Sequence, residues 1–375
     1  MKILVINCGS SSLKYEIYRM PEHQSLGKGL VERIGLPEGK VIQEFEGKKY
    51  HRCLEIPNHR IAFEQMMQAI LDKENGILNS PTEISGIGHR VVHGGDQYSE
   101  SVIIDADVIK AIEINCELAP LHNPANLTGI REAQAIFPLV PQVAVFDTAF
   151  HQTLPPSAYL YGIPREFYEK YRIRRYGFHG TSHRYVADLA VQILKRSPEN
   201  TNLITCHLGN GASITAIQAG RSVDTSMGFT PLEGLMMGTR SGDLDPSIIF
   251  YLEERGFDFH EVHNILNKKS GLLGLSGISS DLRDIEAAAE EGNQDAQEAL
   301  ETYAYRIRRY IGAYVANLIK VDALVFTGGI GQYGVKMRQR ICSRLENLGI
   351  HINRELNQQV GANPGIISRD YSPIS

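Results

Sequence analysis

Two similar segments constrain the fold of this chain more than any other feature of the sequence. The segment LITCHLGNGASITAIQ predicts a strand, a tight turn at 209–211 and a second strand. Near the N-terminus, KILVINCGSSSLKYEIY predicts the same order of strand, polar glycine-containing turn and strand. Residues 3–17 and 203–217 therefore indicate an internal duplication. Glycines in such turns let backbone N–H groups approach an anion closely, so each half is predicted to contribute one anion-binding hairpin.

Strands alternate with helices along the rest of the chain. Apolar runs at 87–93, 142–146 and 323–327 predict buried strands, and residues 294–319 have the spacing of a long amphipathic helix. Ser182 is predicted to cap another helix. This alternation is typical of the α/β class.

The length of the chain, 375 residues, predicts two domains. We place the boundary near Phe150, before the proline-rich segment HQTLPPSAY, which gives domains at 1–149 and 150–375.

Composition excludes several classes of partner. The net charge is −5 and there are no basic blocks, so nucleic acid and anionic membranes are not expected to bind. No apolar run is long enough to span a bilayer, and the N-terminus has the pattern of a strand and not of a signal peptide. The five cysteines contain no CxxC pair, which predicts reduced thiols and a cytoplasmic location.

Three glycine-rich turns, at 7–12, 209–211 and 328–331, each follow a predicted buried strand. Three such loops indicate a nucleotide whose phosphates lie between two domains. The sequence contains no GxxxxGK[ST] motif, and no strand leads into GxGxxG. A P-loop or Rossmann enzyme is therefore disfavoured.

The motifs INCGSSSLK, GHRVVHGG, APLHNP, VAVFDTAFHQTLP, YGFHGTSHRYV, HLGNGASI, DTSMGFTPLEGLMMGTRSGDLDP and TGGIG closely resemble the acetate kinase family, in order along the chain. The resemblance implies a duplicated ribonuclease-H-like (actin-like) α/β fold with a cleft between two domains. It also implies reversible, direct in-line transfer of the γ-phosphoryl group of ATP to acetate, giving ADP and acetyl phosphate, with Mg²⁺ or Mn²⁺ as the metal.

The chemistry of this reaction explains the charged residues in the motifs. A carboxylate that attacks a phosphate needs its charge neutralised, and Arg90 and Arg240 are the candidates. His179 is predicted to hydrogen-bond the transferring phosphoryl group, and His122 is a second stabiliser of that group. Asp147 resembles the family's essential aspartate. Because acetate is already ionised at neutral pH, we expect Asp147 to orient an arginine or metal-bound water rather than abstract a proton.

The resemblance also implies residues for substrate, nucleotide and metal. The pocket for the acetate methyl group is predicted to contain Val92, Leu121, Phe178 and Pro231, with Arg90 binding the carboxylate. The residues predicted to bind ATP are Ser12, Lys14, His207, Gly209, Asn210, Gly211, Asp281, Leu282, Arg283, Gly329, Ile330 and Gly331. Asn7 is the predicted metal ligand.

The sequence departs from the family pattern in three places. Gln332-Tyr333 replaces an acid and an amide beside the nucleotide, and Leu282 stands where phenylalanine is common. The family's C-terminal segment with a magnesium-binding glutamate does not follow Ser375. We therefore expect activity that needs unusually high Mg²⁺, or no activity, with ADP still bound.

Two other functions stay open at this stage. A relative that phosphorylates propionate or butyrate has the same motifs, and a catalytically weak nucleotide-binding protein is the alternative if the C-terminal difference is genuine. The resemblance also implies a homodimer. Tyr303, Tyr305, Tyr310 and Tyr314 on one long helix are predicted to supply its aromatic surface.

Overall fold

The computed structural model describes residues 1–120, 122–361 and 363–375. The chain forms two compact units, Met1–Ala149 and Phe150–Ser375.

The first unit is built on an eight-stranded sheet with the order β5-β4-β3-β2-β1-β6-β8-β7. Strands β1, β6 and β8 are parallel neighbours, and the hairpin strands on the other side of β1 are antiparallel. Its strands are β1 (Lys2–Cys8), β2 (Ser12–Arg19), β3 (Gln24–Glu32), β4 (Gly39–Phe45), β5 (Lys48–Leu54), β6 (Ile84–Val91), β7 (Val102–Ile103) and β8 (Gln142–Phe146).

Three helices cover this sheet: α1 (His59–Ile70), α2 (Ala106–Ile114) and α3 (Asn123–Ile136). In α1 the buried side chains recur at helical spacing, and Asn58 caps its first turn by accepting a hydrogen bond from Ile61 N. The apolar face of α1 packs with β1 and β2 in one core cluster that includes Leu4, Leu13 and Phe63.

The second unit contains a four-stranded sheet, β11-β10-β9-β12, surrounded by helices. Its strands are β9 (Asn202–Leu208), β10 (Ala212–Gln218), β11 (Arg221–Thr225) and β12 (Ala323–Thr327). Its helices are α4 (Pro156–Tyr159), α5 (Arg165–Tyr171), α6 (Gly180–Ile193), α7 (Ser247–Glu254), α8 (Phe259–Lys268), α9 (Gly271–Ser276), α10 (Leu282–Glu290), α11 (Gln294–Asn317), α12 (Gly328–Tyr333), α13 (Val335–Cys342) and α14 (Arg354–Gln359).

The two sheets repeat one topology, as an internal duplication requires. In the first unit β3-β2-β1 are antiparallel and β1-β6 are parallel. In the second unit β11-β10-β9 are antiparallel and β9-β12 are parallel. Both predicted hairpins therefore occupy the same place in their sheets, and the α/β class is confirmed. The predicted cleft between two domains stays a prediction.

The glycine-rich segment 328–331 is not a turn, which corrects the sequence prediction. Helix α12 begins at Gly328, directly after β12. Gly328 has a φ of 76°, and a Cβ there would lie 2.5 Å from the carbonyl oxygen of Leu208. Only glycine allows the chain to change direction this close to β9 before the helix starts.

Helix α11 does not present the predicted row of tyrosines on its surface. Tyr303 and Tyr314 are buried in the core, whereas Tyr305 is exposed. The 3.6-residue period places Tyr303, Ile307, Ile311 and Tyr314 on one inward face, so only part of the aromatic set is available to a partner. Within the described residues, none of the helices is both long enough and apolar enough to cross a bilayer.

Candidate active site

In the first unit, three polar side chains meet where three parallel strands end. Asn7 lies near the end of β1, Arg90 lies near the end of β6, and Asp147 follows β8 directly. Because neighbouring parallel strands end at the same edge, the sheet brings these residues together. Arg90 Nη2 lies 2.6 Å from Asp147 Oδ2, Arg90 Nε lies 3.1 Å from the same oxygen, and Arg90 Nη1 lies 3.4 Å from Asn7 Oδ1.

The Arg90–Asp147 pair has one buried member and one accessible member. The Asp147 side chain is 4% exposed, whereas the Arg90 side chain is 41% exposed. The negative charge of Asp147 raises the pKa of the Arg90 guanidinium, so Arg90 is permanently charged. Asp147 holds the Nε–Nη2 edge of the guanidinium, and the outer part remains accessible to an anion. The pair is thus built to present a fixed positive charge at the strand ends.

Two asparagines of α3 hold the loops that carry this charge. Asn126 accepts a hydrogen bond from Val92 N and donates one to Cys8 O, and so links the ends of β1 and β6. Asn123 accepts from His93 N and donates to His93 O. Sequence reasoning missed both as site residues. The only signal in the sequence is their spacing of three, which places both amides on one helix face.

The remaining predicted residues of this unit lie around the same edge of the sheet. Gly9 N donates to Ser12 O and closes the predicted hairpin, and Lys14 is exposed and paired in register with Asn7. Val92 is buried beside the end of β6. His122 immediately precedes α3 and makes no side-chain cap. Leu121, predicted for the acetate pocket, lies outside the described residues.

In the second unit, Arg240 and His179 lie against the second glycine hairpin. A Cβ placed on Gly211 would lie 3.4 Å from His179 Nε2 and 3.6 Å from Arg240 Nη1. Arg240 donates to the carbonyl oxygen of Pro231, and within the described part of the chain no carboxylate pairs with its guanidinium. Burial lowers the pKa of Arg240 from its ordinary value. A desolvated cation that lacks an anionic partner favours binding of an anion such as a phosphoryl group.

The backbone at His179 is held in place by one buried histidine, His151. His179 has left-handed backbone angles (φ 57°) just before α6. His151 Nε2 donates to the carbonyl oxygen of Phe178, 3.0 Å away, and Ser222 Oγ lies 2.8 Å from His151 Nδ1. Burial lowers the pKa of His151 to about 4, so its ring is neutral at neutral pH. The strained conformation at His179 is therefore held by a buried, uncharged partner.

Ser182 does not cap α6, contrary to the prediction, because the helix begins at Gly180. Its hydroxyl instead lies 2.8 Å from His207 Nδ1. The centroid of the His207 ring lies 4.3 Å from that of the His179 ring, and the two ring planes are tilted by 34°. His207 is thus next to the hairpin for which the sequence predicted a role in ATP binding.

The hairpin 209–211 lies close to the beginning of α12. A Cβ on Gly209 would lie 3.9 Å from Gly329 N, and Asn210 O accepts from Gly238 N. Small residues at these approaches expose backbone N–H groups, as an anion-binding site requires. Ile330 is half-buried and Gly331 is buried in the same helix.

The residues predicted for adenosine lie at the start of α10. Asp281 caps α10 by accepting from Arg283 N, and its carboxylate pairs with the Arg283 guanidinium at 2.5 Å. Hydrogen bonds from Arg283 lower the pKa of Asp281 to about 2. Leu282 is buried. In this structure Asp281 and Arg283 bind each other, and their contact with a nucleotide stays a prediction.

Two predicted pocket residues also belong to this unit. Phe178 is buried, and Pro231 is half-buried in the loop whose carbonyl binds Arg240. Arg175 donates to the carbonyl oxygens of Thr225 and Ser226, 2.7 and 3.1 Å away, and pairs with Glu233 at 2.6 Å. These contacts hold the loop between β11 and Arg240.

Comparison with known proteins follows the same motifs. The model of the acetokinase family matches residues 2–375. The chain is 54% identical over 362 residues to the acetate kinase of Pseudothermotoga lettingae, covering 96% of this chain and 89% of that protein. Its structure is similar to the crystal structure of Porphyromonas gingivalis acetate kinase, with a TM-score of 0.95, 46% identity and coverage of 100% of this chain and 94% of that one. A propionate kinase from Francisella tularensis has a TM-score of 0.93 and 45% identity over the same shares of the two chains.

Proposed function

The chain belongs to the acetokinase family and has acetate kinase activity, and we propose that Arg90, Asp147, His179 and Arg240 carry out the transfer. Arg90 binds the carboxylate of acetate, and Asp147 holds Arg90 in the orientation that this requires. Arg240 and His179 donate to the oxygens of the transferring phosphoryl group. The reaction takes the γ-phosphoryl group of ATP directly onto a carboxylate oxygen of acetate, with ADP as the leaving group.

One observation carries this assignment of roles. The protein itself supplies Arg90 with a carboxylate partner, Asp147, whereas Arg240 has no carboxylate partner within the described residues. An arginine already paired with a buried acid is held for orientation, whereas a half-buried arginine that pairs with no acid binds best to the group that gains charge in the transition state. His122 and the glycine hairpins are proposed to support the phosphates.

The predicted metal fits the donor atoms at the strand ends. Mg²⁺ prefers oxygen ligands and usually keeps several waters, so one or two protein oxygens with phosphate oxygens suffice. Asn7 offers an amide oxygen, and Asp147 has carboxylate lone pairs beyond those used by Arg90. These residues would hold Mg²⁺, which neutralises phosphate charge when bound. Within the described ranges no cluster of three acidic, histidine or cysteine side chains offers an all-protein site.

The acid that this site accepts is tested by trapping acyl phosphates as hydroxamates. We expect product with ATP and acetate, less with propionate and little with butyrate. Binding of ATP without product from any of the three acids would remove the proposed function.

Propionate remains the second candidate substrate, because the chain is also similar to a propionate kinase. Val92 is buried, and its side chain is proposed to limit the acid pocket to a methyl group.

We therefore expect Val92→Ala to raise the ratio of kcat/KM for propionate to that for acetate about 10-fold, since one methylene is worth roughly 10-fold or more in a tight pocket. The hydroxamate assay measures the ratio, and Val91→Ala, which shortens the neighbouring buried valine, is the control. An unchanged ratio in a folded Val92→Ala variant would place Val92 outside the acid pocket.

A homodimer is also proposed, on a surface different from the one that the tyrosines of α11 suggested. Phe250 and Tyr251 of α7, Phe259 at the start of α8, and Phe257 two residues before that helix are each at least 40% exposed. Aromatic side chains are enriched in interface cores. We expect the chain to have a dimer mass by light scattering at micromolar concentration, and Phe250→Glu to shift it toward the monomer. A monomer mass for the unmodified chain would contradict the proposal.

A further inference from the structure

Ser213 connects two histidines of the second unit through one hydroxyl group. Ser213 Oγ lies 2.9 Å from His179 Nδ1 and 2.7 Å from His183 Nε2. On the other side of the ring, His183 Nδ1 lies 2.7 Å from Thr205 Oγ1. Thr205, His183 and Ser213 are completely buried. The four side chains thus form one continuous series of hydrogen bonds that reaches His179.

The position of each proton in this series of hydrogen bonds can be derived by starting from Thr205. Among the described residues, the Thr205 hydroxyl has a single hydrogen-bond partner, His183 Nδ1. A buried hydroxyl whose hydrogen lacks an acceptor loses a full hydrogen bond, so Thr205 donates to Nδ1. His183 is neutral, because complete burial and the neighbouring histidines lower its pKa well below the ordinary value. Its one proton is therefore on Nε2.

The same argument continues through Ser213 to His179. His183 Nε2–H donates to Ser213 Oγ, so the Ser213 hydroxyl must donate to its other partner, His179 Nδ1. A neutral His179 then carries its proton on Nε2. That nitrogen is the one on the side of Gly211 and Arg240 Nη1.

We propose that Ser213, oriented by His183 and Thr205, is a positioning residue that fixes His179 as a hydrogen-bond donor at Nε2. A histidine with the opposite tautomer would present a lone pair to the phosphoryl oxygens and repel them. The chain of hydrogen bonds thus selects the form of His179 that stabilises the transferring phosphoryl group. This inference rests on the proposed role of His179. Ser213 and His183 act through His179 and do not themselves contact the substrate.

The tautomer is measured directly by NMR of the full chain with ¹⁵N-labelled histidine at neutral pH, which requires no variant that might unfold. The His179 signals are assigned by their loss in His179→Ala. We expect a protonated Nε2 and an unprotonated Nδ1. A protonated Nδ1 would overturn the proposal.

Kinetics then separate a positioning role from a structural one. We expect Ser213→Ala to lower kcat about 10-fold or more, with KM for ATP and acetate unchanged, because the wrong tautomer affects only the transition state. In the His179→Ala background the same substitution should lower kcat no further. Ser213→Thr keeps the hydroxyl and should restore most of kcat. Thr215→Val is the matched control, because it removes a buried hydroxyl of the same strand that binds Thr225 and no histidine.

Two results would contradict the inference separately from the proposed function. An equal loss of kcat from Ser213→Ala in both backgrounds would make Ser213 merely structural. If His179→Ala itself leaves kcat unchanged, the role of His179 is wrong, and the NMR result still decides which tautomer the hydrogen bonds select.

Discussion

Arg240→Ala is expected to lower kcat about 100- to 1,000-fold, about 3 to 4 kcal/mol of transition-state stabilisation, while the affinity for ADP changes little. The reason is that Arg240 is a partly desolvated cation beside the hairpin glycine Gly211, and among the residues that the structure describes no carboxylate pairs with it. Its charge is therefore available to the phosphoryl group when that group gains charge in the transition state. Steady-state kinetics with calorimetric ADP binding measures both quantities.

The shape of the guanidinium contributes as well as its charge. Arg240→Lys should recover only part of the loss, because an ammonium group cannot donate in pairs to phosphoryl oxygens. His179→Ala should cause a similar but smaller loss, since it removes a neutral donor. Arg196→Ala, which removes a partly exposed arginine of the same unit from its partner Asp322, is the control and should leave kcat near the original value. A folded Arg240→Ala variant with the original kcat would remove Arg240 from the mechanism.

Asp147→Asn is expected to lower kcat/KM for acetate about 100-fold, because it releases the guanidinium that binds the carboxylate. Asp147 accepts from both Nε and Nη2 of Arg90, with distances down to 2.6 Å. Asparagine retains one acceptor oxygen but turns an NH₂ group toward a group that can only donate. Misplacement of a positioning group by about 1 Å costs on the order of 100-fold in rate. Kinetics with acetate as the varied substrate measures the effect.

The chain contains a close match for this pair, which serves as the control. Asp322 is 3% exposed and pairs at 2.5 Å with Arg196, which is 44% exposed, compared with 4% and 41% for Asp147 and Arg90. Asp322→Asn should therefore lower the unfolding free energy without lowering kcat/KM. If the two substitutions reduce kcat/KM equally, then Asp147 acts through stability and not through Arg90.

The duplication was predictable because it depends on local pattern. Consecutive residues determine the strand, the polar glycine-containing turn and the second strand of each hairpin. Both hairpins form at the predicted positions. The prediction of a turn at 328–331 is wrong for the same reason. A glycine-rich string is typical of a turn, and its helical conformation depends on packing of Gly328 against Leu208, which is distant in sequence.

In both units the contacts of the candidate residues are less predictable than the residues themselves. The motifs predict Arg90 and Asp147 separately, and the pairing of the two depends on the register of β6 against β8. Ser213 had no distinguishing pattern, because a serine in an apolar strand gives no indication that two histidines will bind it. Likewise, Tyr303 and Tyr314 were expected on the surface, and their burial follows from the side of α11 that packs inward.

The central claim is that the carboxylate attacks the γ-phosphoryl group directly, with Arg240 and His179 as donors and no phosphorylated side chain. The most direct test uses ATP that is chiral at the γ-phosphorus through thio and oxygen-isotope substitution, and determines the configuration of the acetyl thiophosphate formed. Direct in-line transfer predicts inversion at phosphorus, since one displacement occurs. Retention would show two displacements through a phosphorylated residue, for which His179 would be the first candidate, and would contradict the account.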